Sequence, residues 1–302
     1  LGVFANYATN FDPIGPGRAP KLDGSAHEAA EGRGTDFGIR ISTEDKNYYA
    51  TLSRYESKSV GRITGAKIGL SRIWQLYYDA TGQEPVEENV SLSFDDTESL
   101  EVSGYEFEVV ANPIKGLRLQ AGFAKPDSTI VEAMAGQRAY WADNYETWSA
   151  AAQGASSEAS ELRNELNNAR NLLDENAEGK TKVGLVDYTA NVFVHYTFQD
   201  GWLEGFSAGG GMTVTGEQYV GEALDEPRYM EKRSSATLLL AYETELWETP
   251  TRIALNVDNV LDDDDYVPTS YDAAWLSGGQ PIVNGYYLPS PRNARLTVSL
   301  EF

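Results

Sequence analysis

The last segment of the chain, Asn293 to Phe302, alternates without a break. Ala294, Leu296, Val298, Leu300 and Phe302 fall on one side, and Arg295, Thr297, Ser299 and Glu301 on the other. A period of two is the mark of a strand with one apolar and one wet face. The same pattern recurs upstream. Ala236, Leu238, Leu240 and Tyr242 alternate within Ser235 to Thr244, and Ile253, Leu255 and Val257 within Arg252 to Asp258. Ala190, Val192, Val194, Tyr196 and Phe198 do so within Asp187 to Phe198, followed by a weaker run from Phe206 to Thr215. Nearer the N-terminus the apolar sets are Leu117 to Phe123, Tyr105 to Ala111, Phe37 to Ile41 and Leu1 to Tyr7, with a weaker run from Tyr48 to Tyr55. The reading is of ten strands, most about nine to eleven residues long, a length that suits a tilted strand crossing a bilayer.

The connections alternate in length. Short links fall at Thr43 to Lys46, Asn112 to Gly116, Gln199 to Trp202 and Glu248 to Pro250, and long ones at about 10–35, 57–98, 126–186, 219–233 and 261–292. Strict succession of short and long predicts an up-and-down antiparallel sheet with tight turns at one rim and long loops at the other, as in outer-membrane barrels. A sandwich with Greek-key connections has no reason for it. Trp202 and Trp247 stand at short turns, where either an interfacial aromatic girdle or ordinary turn packing would place them. Two loops carry helical signal. Ser71 to Asp79 has Ile73, Leu76 and Tyr77 on one side. Ser156 to Glu178 spaces Leu162, Leu166, Ala169 and Leu173 along a narrow stripe, read as packing on its own loop rather than as a coiled-coil seam.

Composition narrows the function. The 302 residues carry 46 acidic and 24 basic side chains, a net charge of −22, which argues against a nucleic-acid binder, since that needs a basic face. Acidic residues gather between the apolar segments, as at Asp95-Asp96 and Asp174-Glu175, so the charge does not signal disorder. Zero cysteines exclude disulfides, thiolate metal sites and cysteine nucleophiles, and two histidines, His27 and His195, leave little for a triad or a histidine-rich metal site. No apolar run is long enough for a transmembrane helix. The start at Leu1 is read as that of a fragment or processed product.

With these strands in place, the residues resemble the barrel domain of TonB-dependent outer-membrane receptors. Asn256 to Asp262 followed by Tyr266 is similar to the family's penultimate-strand signature. Pro291-Arg292 before an alternating strand that ends in Phe302 is similar to its closing strand. Gly104 to Glu108 with the turn Asn112-Pro113 and Lys115-Gly116, then Leu117 to Phe123, resembles a mid-barrel hairpin. Tyr196 to Gly205 with Gly209-Gly210-Gly211 resembles the next, and Glu31 to Gly34 with Gly38 to Arg40 also fits. The family-motif residues are thus Asn259, Asp262, Tyr266, Pro291, Arg292 and Phe302. Pro289-Ser290 and the acidic run Asp262 to Asp265 depart from the pattern.

The resemblance covers residues 1–302 and implies an all-β, membrane-spanning antiparallel up-and-down β-barrel. This chain would be an incomplete barrel of about ten strands, with helices in long external loops and residues 126–186 as the longest, helical near 156–178. The complete family barrel has about twenty-two strands around a plug. The earlier strands, the plug and the TonB-contacting segment would lie outside this chain, whose first strand would otherwise leave an unpaired edge in lipid. The implied function is import of a scarce nutrient, foremost a ferric siderophore, without catalysis or cofactor. The implied partners are outer-membrane lipid, the protein's own plug, TonB and a small ligand such as a metal chelate. A passive porin or adhesin barrel is the first rival, and a soluble β-sandwich binding module the second.

Site candidates follow from where aromatics gather. Trp74, Tyr77, Tyr140, Trp141, Tyr145, Tyr271 and Trp275 lie in long links and offer contact area to a flat or bulky ligand. Asp262 to Asp265 has carboxylates for a hard cation but lacks the EF-hand spacing and its glycine, and reads better as a solvated tip. Gly209-Gly210-Gly211, with no helix or lysine after it, reads as a strand thinned for close packing or lumen space rather than a phosphate cradle. His195 reads as a lumen residue. Glu106 and Glu108 share a strand face in the manner of a glycosidase pair, but a polar lumen accounts for them, with Arg40, Arg118, Arg252 and Arg295 facing the same way.

Overall fold

The computed structural model describes residues 1–15, 17–84, 93–224, 226–277 and 280–301, and gives backbone alone for 272–277. In chain order its elements are β1 (Gly2–Asp12), β2 (Ala30–Ser42), β3 (Tyr48–Thr64), α1 (Leu70–Thr81), β4 (Asp96–Ala111), β5 (Leu117–Ala133), α2 (Ala135–Ala151) and α3 (Ser157–Glu175). There follow β6 (Thr189–Thr197), β7 (Phe206–Thr215), β8 (Gln218–Ala223), β9 (Glu226–Met230), β10 (Arg233–Leu246), β11 (Thr249–Asp258), β12 (Val267–Ser277), β13 (Gln280–Tyr287) and β14 (Asn293–Leu300). Ten of the strands form one sheet in the order β1-β2-β3-β4-β5-β6-β7-β10-β11-β14, each antiparallel to its neighbour. The remaining four make two separate hairpins, β8–β9 and β12–β13, inside long loops. Among the described residues β1 and β14 do not pair with each other, so the wall is open.

Register turns the alternation of each strand into a property of the whole wall, because residues directly opposite in an antiparallel pair share a face. Leu296 of β14 faces Leu255, which faces Leu240, then Ala208, Tyr196 and Leu117. Farther along, Phe123 faces Phe107, then Leu52, Ile39 and Val3. A slip of one residue anywhere would send these side chains through the sheet. None is buried: Leu255, Leu240, Ala208, Tyr196 and Leu117 are half-exposed, and Leu296 is 68% accessible, Phe107 43% and Val3 82%. A soluble sandwich would bury this row between two sheets, so the second rival reading fails here.

The opposite face is polar. Its rows run Arg40, Thr51, Glu108, Gly122, Asn191 and Arg118, His195, Gly209, Leu239, Asn256, Arg295. Glu243 and Arg252 pair across β10 and β11 at 3.3 Å, and Arg40 stacks on Phe4 at 4.5 Å from its ring centre. The glycine run in β7 makes room on this face: a Cβ on Gly209 would lie 2.9 Å from His195 Cδ2.

Links at 43–47, 112–116, 198–205 and 247–248 close one rim, and links at 13–29, 65–95, 134–188, 216–232 and 259–292 rise from the other. The β10–β11 turn lies earlier than the sequence pattern places it. Trp247 and Glu248, both at positive φ (50° and 62°), form the two-residue bend of a tight hairpin, and Thr249 and Pro250 already belong to β11. Trp247 and Trp202 are over 90% exposed on this rim, beside Ile114 and Leu246. At the other rim β3, β4 and β5 run well past the apolar belt, to Thr64, Asp96 and Ala133, with a bulge in β3 at Gly61 (φ 72°). Among the described residues no helix is long and apolar enough to cross a membrane.

Candidate functional site

The only large dry core among the described residues lies above the wall, in the long loops. It gathers Ile68, Leu70, Ile73, Trp74, Leu76 and Tyr77 around α1 with Met134, Tyr140 and Trp148 of the α2 region and Leu162, Leu166, Ala169 and Leu173 of α3. The stripe expected on α3 is the one buried, and Ser156 caps this helix by accepting from the Ala159 N–H at 3.1 Å. Gly82, left-handed at φ 69°, ends α1.

Helix α2, which the sequence pattern leaves within a loop, completes the cluster. Its capping group comes from β4: Asp96 Oδ2 accepts from the Gln137 N–H at 3.0 Å. Gln137, fully buried, accepts from Ile68 N at 2.8 Å and donates to Ala66 O at 3.2 Å, which ties the entry of α1 to α2. Arg138 donates to the carbonyls of Ala133 and Leu173, linking α2 to the end of α3.

Charged contacts fasten the cluster to the rim and to the next loop. Glu98, 2% exposed, is held by Arg62 at 2.6 Å and Lys182 at 2.5 Å. The Lys67 ammonium, 2.6 Å from Asp95, holds that carboxyl below its usual range, helped by the Ala19 N–H. Glu175, at the end of α3, accepts from the Glu222 N–H of β8 at 3.0 Å, while Lys180 pairs with Glu222 at 2.7 Å. Burial and the neighbouring Glu222 raise the Glu175 carboxyl. Burial also pushes the Tyr219 phenol up to about 12. The β12–β13 hairpin adds to the same edifice: Arg228 lies 5.8 Å from the Tyr271 ring centre, and Arg233 4.6 Å from that of Tyr287.

These contacts sort the candidate aromatics. Trp74, Tyr77 and Tyr140 are at most 9% exposed, and the Trp74 Nε1–H donates to Tyr140 Oη at 3.0 Å, so all three have packing roles. Trp141 and Tyr145 are half-buried on the surface of α2, 5.1 Å apart, with the Arg170 guanidinium 5.1 Å above the Tyr145 ring. Tyr271 is half-buried on its hairpin, and the Trp275 side chain lies outside the described residues. Arg170 carries no signal in the linear pattern. It joins Tyr145 because the two helices pack side by side.

At the C-terminal end the family-motif residues form a clasp. Asn259, 7% exposed, donates to the carbonyls of Asp263 at 2.8 Å and Ser290 at 2.9 Å and accepts from Asp263 N at 3.1 Å. Asp262 pairs with Arg292 at 3.3 Å, just after Pro291, and Tyr266 meets Tyr286 edge-on. Phe302 lies outside the described residues. Among the described residues no group of three or more His, Asp or Glu is arranged to hold a metal, and Asp262 to Asp265 are exposed.

No family model matches the sequence. The metal-pseudopaline receptor CntO of Pseudomonas aeruginosa is 22% identical over 303 residues, covering 100% of this chain and 32% of its own length. The chain therefore spans about a third of the length of the curated relatives it matches. Among solved structures it resembles the pyoverdine outer-membrane receptor FpvA of Pseudomonas aeruginosa (TM-score 0.61, 16% identity, 99% of this chain and 34% of that one). The ferric preacinetobactin receptor BauA of Acinetobacter baumannii gives 0.59 at 15% identity, over 99% of this chain and 34% of that one. The copper transporter OprC gives 0.56 at 12%, over 98% and 36%. By fold, then, the chain is similar to about a third of the β-barrel receptors of the Gram-negative outer membrane, as one open stretch of their antiparallel wall.

Proposed function

We propose that this chain supplies part of the barrel wall and external loops of a receptor that captures a metal chelate outside the cell and imports it with energy delivered through TonB. The observation that carries this reading is the open wall. Ten strands in register have an apolar face outward, a polar face inward and two unpaired edges. Unpaired edges in lipid are too costly to persist, so the wall calls for further strands. The passive-pore rival requires β1 to pair with β14, which the described residues do not do.

The relatives named above are receptors or transporters for pseudopaline-bound metal, ferric siderophores and copper, which supports a metal or metal chelate as the cargo. A ferric siderophore is the first candidate within that class. The contact surface we assign to it is Trp141 and Tyr145 with Arg170 beside them, and Tyr271 on the neighbouring hairpin. Aromatic faces stack on a flat chelate, and the guanidinium meets an anionic one. This reading predicts no catalytic step. The test is chelate binding and growth rescue by a panel of metal chelates, using the complete receptor. W141A/Y145A should weaken capture of the active chelate about tenfold, the equivalent of one or two ring contacts. Unchanged capture would remove these residues from the site.

A further inference from the structure

Helix α2 starts without a capping side chain of its own. Met134, the residue before it, is left-handed at φ 58° and gives no side-chain bond to the first turn. That turn is seated on β4 instead. The Met134 N–H donates to Thr97 O at 2.9 Å, and the Gln137 N–H to Asp96 Oδ2 at 3.0 Å. The other oxygen of the same buried carboxyl, Oδ1, accepts from the Thr97 N–H at 2.8 Å. One oxygen is thus tied to β4's own backbone, which aims the other at α2. A carboxylate at this end of a helix also meets the positive pole of its dipole. The other acids at this end of β4, Asp95 and Glu98, hold Lys67, Arg62 and Lys182, none of which lies in α2.

Gln137 is the joint of the assembly. Its N–H is held by β4, and its side chain is bonded to Ile68 N and Ala66 O at the entry of α1. Trp141 and Tyr145 follow it at i+4 and i+8, along one line of α2. A rotation or axial shift of the first turn therefore carries both rings with it. We propose that Asp96 is a positioning residue for chelate capture: from β4 it sets the rotation and height of α2, and so the face on which Trp141 and Tyr145 are offered. This rests on the contact surface assigned above.

The complete receptor is compared with D96A and D96N, with heat-modifiable mobility on gels as the check that each is assembled. Capture is measured with ferric tris-catecholate, and with the chelate that rescues growth if that is a different one. D96A should weaken capture about tenfold, while D96N, which keeps one acceptor for the Gln137 N–H, should stay within about threefold of the parent. In the W141A/Y145A background D96A should cost less than about twofold more, because a residue that acts through those rings has nothing left to position; a general structural loss would add in full. Spin labels on D127C of β5 and D143C of α2, both exposed positions, report where α2 stands. Their distance should shift or broaden in D96A and be kept in D96N. D96S, whose single shorter oxygen cannot reach both N–H groups, replaces D96A if that variant fails to assemble. Parent-like capture in assembled D96A, full additivity with W141A/Y145A, or an unchanged label distance would each overturn the proposal. Parent-like capture in W141A/Y145A, or capture of no chelate by the parent, would overturn the reading of the site itself and the proposal with it.

Discussion

Asn259 fastens the end of β11 to the segment before β14 with a single buried amide, and it does so at φ 49°, a conformation asparagine tolerates better than most. N259A removes the acceptor for Asp263 N and both donors, and strains the backbone. The expected loss is about 2–4 kcal/mol, read as a lower urea midpoint in lipid vesicles. Two carboxyls in the loops respond to pH with opposite signs. Glu175 is raised above its usual range by burial, so the stability that its buried neutral carboxyl contributes is full below 4.5 and is lost as pH climbs through the raised value. Amide protection at the end of α3, corrected for intrinsic exchange, should fall over that rise, and E175Q should flatten the profile. Asp95 is lowered below 3.8 by Lys67, so its bond is present above 3.8 and lost as pH drops through the lowered value. Protection of the Ala19 amide, which Asp95 holds, should decline there, and D95N should abolish the dependence.

Among elements, the helices of the loops own a core distinct from the wall. W148A opens a cavity where α1, α2 and α3 meet, around a side chain with no exposed surface. It should cost about 3–5 kcal/mol. Helical circular dichroism should fall while the strand signal and heat-modifiable migration persist; joint loss of both would show the cluster and wall to be one unit. The wall strands and α3 were legible because period two and the Leu162 stripe each serve a single buried or lipid-facing side. Helix α2 was not. Tyr140, Trp141, Tyr145 and Trp148 gather on one side of it, but no aliphatic stripe does, and its cap, Asp96, lies 41 residues away in sequence. The β8–β9 and β12–β13 hairpins escaped because they are short or interrupted, with Pro227 and Pro268 inside them. The far ends of β3 to β5 escaped because charge occupies both faces there. The aromatic candidates were legible only as a set. Which of them pack and which face solvent depends on how three helices meet, and Arg170 entered through that meeting alone.

At the scale of the whole molecule, function depends on two faces that are opposite in polarity. A charge on the outer face near the middle of the belt must be buried in hydrocarbon, whereas one on the inner face stays wet. L255R should therefore cost about 2–4 kcal/mol and block assembly, while N256R, its neighbour on the polar side, should assemble. This stretch holds no native cysteine, so labels can be placed along it one at a time once any cysteine elsewhere in the receptor is replaced. Single cysteines placed from Ala294 to Leu300 in the complete receptor, spin-labelled in lipid vesicles, can be probed with oxygen, which partitions into lipid, and with a water-soluble nickel complex. Labels at 294, 296, 298 and 300 should favour oxygen, and those at 295, 297 and 299 the nickel complex. Uniform protection from both reagents, or the reverse alternation, would contradict the account of this chain as a membrane wall.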